Sequence, residues 1–388
     1  MAYRFLKFTS SYPRFERQFL KENPDYNACS YVELFDRFVN SFFYIRHSEY
    51  LRELGNQTQT HNASIKALQV LWAQEHDVKF FQKTWLKDIV IAQIEAFDPE
   101  IIFLEDLYLF NRNFRNEIRA RCKNHVKIMG YRAAPTADFL QFSDLDLMIS
   151  AAPNFVERMR ELRINAHLLP LAFEERSLAG IGPRTRDLGF TFLGSVGSSN
   201  GPFSSRYHLI ESLLAQTPLE VWGDFVPDTI IDGFFSASFI PAPVRKAGHS
   251  LMRTLDLQRN PSSVFKRIHA PVFGKDYYSV LSRSKMTFNC HIDCSEQYAG
   301  NIRLFEATGM GACLVTDWKR NMADFFEPDV EILTYRDQEE CVEKVKYYLK
   351  HDDEREQIAQ AGQKRTLRDH TYRMRMEKLN SYILNLFQ

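Results

Sequence analysis

The segment NIRLFEATGMGACLVTD, residues 301–317, combines the patterns of a helix, a glycine turn and a strand. Three apolar residues have helical spacing: Ile302, Phe305 and Met310. The run ACLVT that follows is typical of a short buried strand. Glu306 lies three residues before the first of two glycines, Gly309 and Gly311. The segment therefore predicts a carboxylate on a helix beside a tight turn, where it can accept hydrogen bonds from the hydroxyl groups of a ligand.

Strand and helix patterns alternate along the whole chain. In the first half, strands are predicted in YRFLKFTS, DPEIIFLEDL, VKIMGYRAAP, LDLMISAAPNF and INAHLLPLAF, with amphipathic helices between them. One of these helices is predicted to run through SYVELFDRFVNSFFYIRHSEYLRELG and to end at Gly55. The alternation begins again with LGFTFLGSVG. It is typical of parallel sheets covered by helices on both faces, so we expect an α/β protein.

The chain of 388 residues is long enough for two domains. We place a first domain at residues 1–175 and a second at 176–388, with an insertion at about 226–264 and a last helix that can pack back on the first domain. Both domains are expected to be doubly wound and Rossmann-like. They should face each other across a cleft, where the carboxyl ends of their strands bind ligands.

Composition excludes several classes of protein. Lysine plus arginine and aspartate plus glutamate both number 49, and this balance argues against a general nucleic-acid binder. No apolar run approaches the roughly 20 residues that span a bilayer, and the first residues lack the apolar stretch of a signal peptide. The six cysteines form no CxxC pair, so reduced thiols are expected. We expect a cytoplasmic protein.

The loop FLGSVGSSNG, residues 192–201, follows a predicted strand and precedes a predicted helix. Backbone N–H groups at Gly194, Ser195 and Gly197 could hold a diphosphate there. The glycine spacing differs from that of a dinucleotide fingerprint or a P-loop. An ordinary flexible turn is the alternative.

The segment FNCHID, residues 288–293, places Asn289, His291 and Asp293 at alternate positions of a predicted strand end. On a strand these side chains would point the same way. Their spacing matches no common zinc site, so we predict polar residues along the wall of a cleft and no metal.

Arg303 lies one helical turn before Glu306. A carboxylate at Glu306 is suited to the paired hydroxyls of a ribose, and a guanidinium at Arg303 is suited to a phosphate. A surface position for Glu306, or an ion pair between the two side chains, is the alternative.

Residues 272–372 resemble the C-terminal half of bacterial glycosyltransferases of the spore-maturation-protein type, in the glycosyl transferase group 1 superfamily. The similar elements are the Asn-x-His strand end, Asn-x-Arg-x-Phe-Glu-Ala-x-Gly-x-Gly, Leu-x-Thr-Asp, Phe-Glu-Pro and Tyr-Tyr-Leu. The segments FTFLGSVG and LEVWGDF resemble the first strands of the same domain, and the N-terminal half resembles the more variable acceptor domains.

The resemblance implies a GT-B fold and transfer of a sugar from a nucleotide-sugar donor, without a cofactor and without a catalytic metal. It implies that Glu306 binds the ribose of the donor, and it adds Asn301 to the expected donor-binding residues. Members that retain anomeric configuration usually carry a second glutamate eight positions earlier, where this chain has Tyr298, and the nearest acid is Glu296. We therefore expect inversion.

An inverting transferase needs a general base for the acceptor hydroxyl. Glu105 and Asp106 end a predicted strand of the first domain, and adjacent carboxylates could raise one pKa towards neutrality. A structural role, such as capping the next helix, is the alternative for either residue. Arg132 and Asp138 flank the next loop and are weaker candidates.

The expected function is glycosyl transfer to a glycan, lipid-linked or protein acceptor in cell-surface glycoconjugate synthesis. The expected partners are the nucleotide-sugar and the acceptor, with no nucleic acid. Aromatic and basic residues at 226–264 suggest peripheral contact with a membrane, while packing of this segment on its own domain is the alternative. A nucleotide-sugar epimerase of the same architecture and a non-catalytic nucleotide-sugar-binding protein remain as alternative functions.

Overall fold

The computed structural model describes residues 2–122, 125–197, 203–223 and 265–388. The predicted insertion at 226–264 lies outside these residues. The chain divides into two compact units. Unit 1 contains Met1–Ser177 together with Asp369–Gln388, and unit 2 contains Leu178–Arg368. The last helix of the chain therefore belongs to unit 1.

Unit 1 contains a six-stranded, wholly parallel sheet. Its strands are β1 (Arg4–Thr9), β2 (Gln57–Asn62), β3 (Ile101–Leu104), β4 (Lys127–Tyr131), β5 (Leu147–Ser150) and β6 (Ala166–Leu168). The strand order is β2-β1-β3-β4-β5-β6, so the winding of the sheet reverses between β1 and β3. This reversal creates a crevice at the carboxyl ends of these two strands.

The helices of unit 1 lie between and after these strands. They are α1 (Pro13–Glu22), α2 (Tyr31–Val39), α3 (His47–Glu53), α4 (Lys66–Glu75), α5 (Trp85–Phe97), α6 (Arg112–Arg121), α7 (Pro153–Glu161) and α8 (Arg176–Ile181), whose last residues extend into unit 2. The C-terminal helix that also belongs to unit 1 spans Tyr372–Leu384. Its buried residues Met376, Leu379 and Ile383 pack in one cluster with strand residues such as Phe103 and Ile149.

Within the described residues, unit 2 contains a second parallel sheet of six strands. Its strands are β7 (Leu188–Leu193), β8 (Leu219–Trp222), β9 (Ile268–His269), β10 (Ser284–Asn289), β11 (Cys313–Asp317) and β12 (Leu333–Tyr335). The order is β12-β11-β10-β7-β8-β9, the order of dinucleotide-binding sheets. The winding reverses between β7 and β10, which places the crevice of this unit at their carboxyl ends.

In the described residues, the helices of unit 2 are α9 (Ser204–Gln216), α10 (Gly274–Arg283), α11 (Arg303–Gly309), α12 (Gln338–Tyr348) and α13 (Asp352–Asp369). The C-terminal helix Tyr372–Leu384 is α14. Side chains of α9, α12 and α13 pack with the inner faces of β7, β10 and β11 in one apolar cluster. Buried residues on both faces of the strands explain the continuous apolar runs in their sequences.

The sequence-based prediction is wrong in two places in unit 1. The single helix predicted to end at Gly55 is two helices, because α2 ends at Val39 and α3 begins at His47. Strand β2, with the polar sequence QTQTHN, was not predicted. Its buried side chains find hydrogen-bond partners: Tyr44 Oη donates to Thr60 Oγ1 at 2.9 Å, and Thr58 Oγ1 donates to the Ser48 carbonyl at 2.8 Å.

No helix in the described residues is long and apolar enough to cross a membrane.

Candidate functional site

The crevice of unit 2 is bridged by one buried side chain. Arg206 on α9 donates to the Ser195 carbonyl, just after β7, at 3.0 Å. It also donates two hydrogen bonds, at 2.6 and 3.1 Å, to the Cys290 carbonyl just after β10. The guanidinium thus fixes the two loops that border the switch point of the sheet. No motif in the sequence pointed to Arg206.

A second guanidinium lies beside the first loop. Gly194 follows β7 with φ +134°, and a Cβ atom at this position would lie 2.6 Å from Nη2 of Arg303. The Arg303 guanidinium also lies 5.1 Å from the centre of the Phe192 ring. Glycine is therefore needed at 194 both for its backbone conformation and for the close approach of Arg303.

The two guanidinium groups donate hydrogen bonds to neutral oxygens. Among the residues that the structure describes, neither Arg206 nor Arg303 forms an ion pair, since Arg206 bonds to carbonyl oxygens and Arg303 Nε donates to Tyr277 Oη at 3.3 Å. Burial lowers the pKa of Arg206, and the charge of Arg303 lowers it further. Two partly desolvated cations side by side favour the binding of an anion between them.

The carboxylate of Glu306 is buried and held by two tyrosines. Tyr277 Oη donates to Oε2 at 2.6 Å, and Tyr278 Oη donates to Oε1 at 3.3 Å. Burial raises the pKa of the Glu306 carboxyl, while the Tyr277 hydrogen bond and the charge of Arg303 oppose that rise. Glu306 lies on α11 as predicted, and its surroundings exclude the alternative of a surface acid.

Two amides lie at the end of β10. Asn301 Nδ2 donates to Asn289 Oδ1 at 2.6 Å, and Asn289 Nδ2 donates to Thr316 Oγ1 at 2.8 Å. Asn289 is the last residue of β10, and Asn301 precedes α11 by two positions. The pair therefore joins the strand end to the start of the helix that carries Arg303 and Glu306.

His291 is buried against an aspartate of the neighbouring strand. Its Nδ1 lies 2.7 Å from Oδ1 of Asp317, and its Nε2 accepts from the Gly300 N–H at 3.4 Å. Nδ1 therefore carries the proton. Burial would raise the pKa of Asp317, but the interaction with His291, together with the charge of Lys319, holds it well below its ordinary value.

The predicted alternation of Asn289, His291 and Asp293 is wrong. Strand β10 ends at Asn289, and Asp293 is an exposed residue that begins a short 3₁₀ turn. Within the described parts of the chain, no group of three histidine, cysteine or acidic side chains could hold a metal ion.

The turn after α11 uses Gly311, whose φ is +75°. A Cβ at this position would lie 2.6 Å from Arg186 Nη2 and 3.1 Å from Gln363 Nε2. The same Gln363 nitrogen donates to the Gly309 carbonyl at 2.9 Å. These two glycines close the turn, and no contact places them beside Arg303. Gly197 has φ +86°, and the loop that follows it, 198–202, lies outside the described residues.

The first of the two acidic candidates of unit 1 lies at the other switch point, between β1 and β3. Oε1 of Glu105 forms an ion pair with Lys7 Nζ at 2.7 Å and lies 3.5 Å from Nδ1 of His47. Burial would raise the pKa of Glu105, but the charges and hydrogen bonds of Lys7 and His47 outweigh it and lower the pKa to about 2. For Glu105, the expectation of a pKa raised towards neutrality is therefore wrong.

Asp106, the second candidate, uses both carboxylate oxygens in local structure. Oδ1 accepts from the N–H groups of Tyr108 and Leu109, at 3.1 and 3.0 Å, and Oδ2 accepts from Ser10 Oγ at 3.2 Å. This is the arrangement of a turn-capping aspartate.

The weaker candidates in the next loop also have local partners. Arg132 donates to Thr136 and to the Pro135 carbonyl, and Asp138 accepts from the Leu140 N–H.

Several residues of the two sites were missed in the sequence. Asp317 ends the Leu-x-Thr-Asp element but was given no role, and Tyr277 and Tyr278 lie in a predicted helix without a motif of their own. Lys7 and His47 occupy a strand and a helix start where ordinary patterning predicts a solvated side chain. The residue that pairs with a buried side chain can be distant in sequence, as Glu105 is from Lys7, and the sequence around Lys7 then does not predict its burial.

A family model described as glycosyl transferase-like matches residues 206–381. A comparison with curated proteins finds no match. Among solved structures, a glycosyltransferase from Rickettsia africae has a TM-score of 0.54 at 10% identity, covering 100% of this chain and 99% of the other. Sucrose-phosphate synthase from Thermosynechococcus elongatus has a TM-score of 0.55 at 11% identity, covering 99% of both chains.

HepE of Anabaena, in complex with UDP-glucose, has a TM-score of 0.59 at 10% identity, with coverage of 99% of this chain and 100% of HepE. These likenesses extend over the whole chain, and they confirm the predicted fold class. The chain has the α/β fold of GT-B glycosyltransferases, with two Rossmann-like domains.

Proposed function

We propose that the protein is a glycosyltransferase that uses a nucleotide-sugar donor. The observation that carries the proposal is the pair of guanidinium groups, Arg206 and Arg303, at the switch point of the second sheet, neither of which forms an ion pair with a described residue. They lie next to a buried carboxylate on the same helix as Arg303, Glu306. The match of residues 206–381 to a glycosyl transferase-like family supports the same function.

Unit 2 binds the donor in this proposal. The diphosphate lies against Arg303, Arg206 and the backbone at Ser195 and Gly197, where its charge is compensated. The predicted donation from the Gly194 N–H is wrong, because that group donates to the Trp222 carbonyl at 2.9 Å. Glu306 accepts hydrogen bonds from the ribose hydroxyls, with a carboxylate oriented in advance by Tyr277 and Tyr278. HepE, whose fold is similar, is described in complex with UDP-glucose.

The remaining donor-site residues hold the loops around the donor in place. Asn289, Asn301 and His291 hold the loop after β10, while Gly309 and Gly311 hold the turn after α11. No cofactor or metal takes part, because arginine side chains and backbone dipoles stabilise the leaving diphosphate.

Glu105 acts as the base in unit 1, because Asp106 uses both oxygens in its turn. The acceptor hydroxyl attacks the anomeric carbon and gives its proton to Glu105. The bond from the anomeric carbon to the diphosphate oxygen breaks, and its electron pair leaves with the nucleoside diphosphate. With Tyr298 where a second glutamate would support retention, the anomeric configuration is inverted.

The acceptor is a glycan, a lipid-linked glycan or a protein in the synthesis of a cell-surface glycoconjugate. A bacterial enzyme of the spore-maturation type in the cytoplasm, in peripheral contact with the inner face of the membrane, fits such an acceptor. The segment 226–264, with its aromatic and basic residues, is the proposed contact.

Nucleotide binding tests the donor site directly. A thermal-shift screen against a panel of nucleotide-sugars identifies the donor, since a ligand at 100 times its dissociation constant adds roughly 2.7 kcal/mol to stability. Calorimetry with the nucleoside diphosphate of that donor then compares the wild type with Arg303→Met. Loss of charge-assisted hydrogen bonds should weaken affinity by about 1.5–3 kcal/mol.

The matched control is Arg283→Met. Arg283 is also in unit 2, but it pairs with Asp187 on the surface, at 2.6 and 2.8 Å. Its loss should leave nucleotide affinity unchanged. Equal affinity in the wild type and the Arg303→Met variant would refute the assigned donor site.

Product analysis distinguishes the possible reactions. Incubation with the donor alone should slowly release nucleoside diphosphate, whereas an epimerase would interconvert donor sugars and a binding protein would do neither. Addition of membrane and glycan fractions should yield a labelled product whose anomeric configuration is read by NMR. A retained configuration would refute inversion.

A further inference from the structure

Lys7 is a fully buried cation whose ammonium group meets three acceptors. Its Nζ lies 2.7 Å from Glu105 Oε1, 2.9 Å from the Ile45 carbonyl oxygen and 2.8 Å from Nδ1 of His47. The Tyr44 ring covers it at 4.5 Å. An ammonium group has three protons, so each of the three contacts can take one and the group is held in one orientation.

His47 is fixed by the same contact. Because Nδ1 accepts a proton of the Lys7 ammonium group, the neutral imidazole carries its own proton on Nε2. Burial, and then the charge of Lys7, lower the pKa of His47 to about 4, so the ring is neutral near pH 7. Lys7 therefore supplies the positive charge that Glu105 meets.

Only one oxygen of Glu105 is used by these groups. The side chain keeps 20% of its exposure, and no hydrogen bond to Oε2 is made within the part of the chain that the structure describes. Glu105 and His47 line a cavity of about 30 Å³ in unit 1, together with Tyr131, Arg375 and apolar side chains. This volume holds a water molecule or a single hydroxyl group, and it is too small for a sugar ring.

We infer that Lys7 is the positioning residue for Glu105: it holds one carboxylate oxygen so that the other can receive a hydroxyl group from the cavity side. The inference rests on the proposed function, in which that hydroxyl belongs to the acceptor. It adds a residue to the reaction that touches neither the donor nor the acceptor. It also places the hydroxyl at the switch point between β1 and β3.

A purely structural ion pair would need no free oxygen and no cavity beside it. The other titratable or charged groups around Glu105 come from several elements: Tyr44, Glu49 on α3, Tyr131 on β4, and Tyr372 and Arg375 on α14. Burial raises the pKa of Tyr131, and the charge of Glu105 adds to the rise, so this phenol stays neutral. Lys7 is the cation in direct ion-pair contact with Glu105.

The first measurement uses the wild-type protein and does not depend on activity. Protein labelled with ¹³C at glutamate carboxyls is titrated by NMR, and Glu105→Gln identifies the Glu105 signal. The Glu105 carboxyl should stay ionised from pH 7 down to the lowest pH at which the protein is folded. A titration midpoint near the ordinary glutamate pKa would overturn the inference.

The second measurement compares Lys7→Met with Lys87→Met. Lys87 also pairs with a glutamate of unit 1, Glu117 at 3.3 Å, but on the surface. With the cognate donor and acceptor, Lys7→Met should lower kcat by about 10-fold or more, a part of the 10²–10⁴-fold typical of a general base. The acidic limb of its pH profile should move to higher pH. Nucleotide affinity should not change, and Lys87→Met should match the wild type in all three readouts.

Different results would refute the proposed function and the positioning role of Lys7. If no transfer or nucleotide binding is detected in the wild type, the proposed function is wrong, and the NMR titration still decides whether Lys7 holds Glu105 ionised. If transfer is normal in folded Lys7→Met, or in Glu105→Gln, the positioning role is wrong while the donor site stands.

Should Lys7→Met fail to fold, the conservative variant His47→Gln gives the kinetic comparison, since it keeps Lys7 and removes one of its three acceptors. An unaltered pH profile in His47→Gln supports Lys7 as the controlling group, and an acidic limb moved to higher pH overturns it.

Discussion

The charged side chains at the switch points of the two sheets are arranged in opposite ways. In unit 1, Lys7, His47 and Glu105 satisfy one another in a buried cluster. In unit 2, Arg206 and Arg303 hydrogen-bond to carbonyl and hydroxyl oxygens among the described residues, and the charge of Arg303 is felt at Arg206. The first arrangement pairs its charges directly, while the second holds two guanidinium groups that form no ion pair within the described residues. This difference in side-chain charge is the reason why we propose different ligands for the two parallel sheets, a neutral hydroxyl for unit 1 and a diphosphate for unit 2.

The comparison predicts that the largest loss of stability comes from unit 1. Lys7→Met leaves Glu105 as a buried charge without a partner, and breaking a buried pair in this way costs about 3–5 kcal/mol. The double variant Lys7→Met/Glu105→Gln removes both charges and should recover much of that loss. Urea unfolding of the single and double variants measures the difference.

A result that contradicts the comparison is easily recognised. If the double variant is as unstable as the sum of the single variants, the two charges do not interact and the cluster is not a unit. Arg303→Met in unit 2, which removes a cation without an acidic partner, should change stability much less than Lys7→Met.

Acid should destabilise unit 1 through its neutral histidines. Burial lowers the pKa of His47 from 6.5 to about 4 and that of His61 to about 3. The unfolded chain therefore binds these protons first, and stability is lost as the pH falls below about 6.5. Between pH 7.5 and pH 5 each histidine should cost about 2 kcal/mol.

Glu105 acts at a lower pH. Its pKa is lowered from 4.5 to about 2, so its contribution to stability is complete above about 4.5 and is lost as the pH falls towards 2. Urea unfolding at pH 7.5, 6 and 5 measures the histidine effect before Glu105 begins to titrate. A His47→Gln variant should lose less stability over that range than the wild type, and an equal loss would contradict the low pKa of His47.

The sequence predicted those parts of the fold in which local pattern and tertiary environment agree. Strands such as β3, whose four residues are all buried, have continuous apolar sequences that a parallel sheet requires. Strand β2 was missed because its buried polar side chains form hydrogen bonds with Tyr31, Tyr44 and Ser48, which lie elsewhere in the sequence.

The same distinction applies to the sites. Glu306, Gly309 and Gly311 were predicted because helix, carboxylate and turn lie within one short segment. The partners that determine their chemistry come from other elements, as Tyr277 does from α10. Lys7 and Glu105 are nearly a hundred positions apart, and only the pairing of β1 with β3 brings them together. The electrostatic environment of a site is thus the part that sequence pattern predicts least.

The smallest predicted effect concerns the two tyrosine hydroxyls that hydrogen-bond to Glu306 in unit 2. Tyr277 Oη donates to Glu306 at 2.6 Å and Tyr278 Oη donates at 3.3 Å, so the two hydroxyls should contribute differently to nucleotide affinity. Tyr277→Phe should weaken nucleotide affinity by about 1 kcal/mol, the net value of one hydrogen bond, and Tyr278→Phe should weaken it less.

The Tyr277 bond lowers the pKa of Glu306, which burial raises. Its loss should therefore raise that pKa further, and affinity should begin to fall at a higher pH on acidification than in the wild type. Calorimetry of both variants from pH 8 to pH 5.5 measures the affinity and its pH dependence together. If Tyr278→Phe has the larger effect, or if neither variant shifts the pH dependence, the Glu306 carboxylate does not contact the nucleotide in the way proposed.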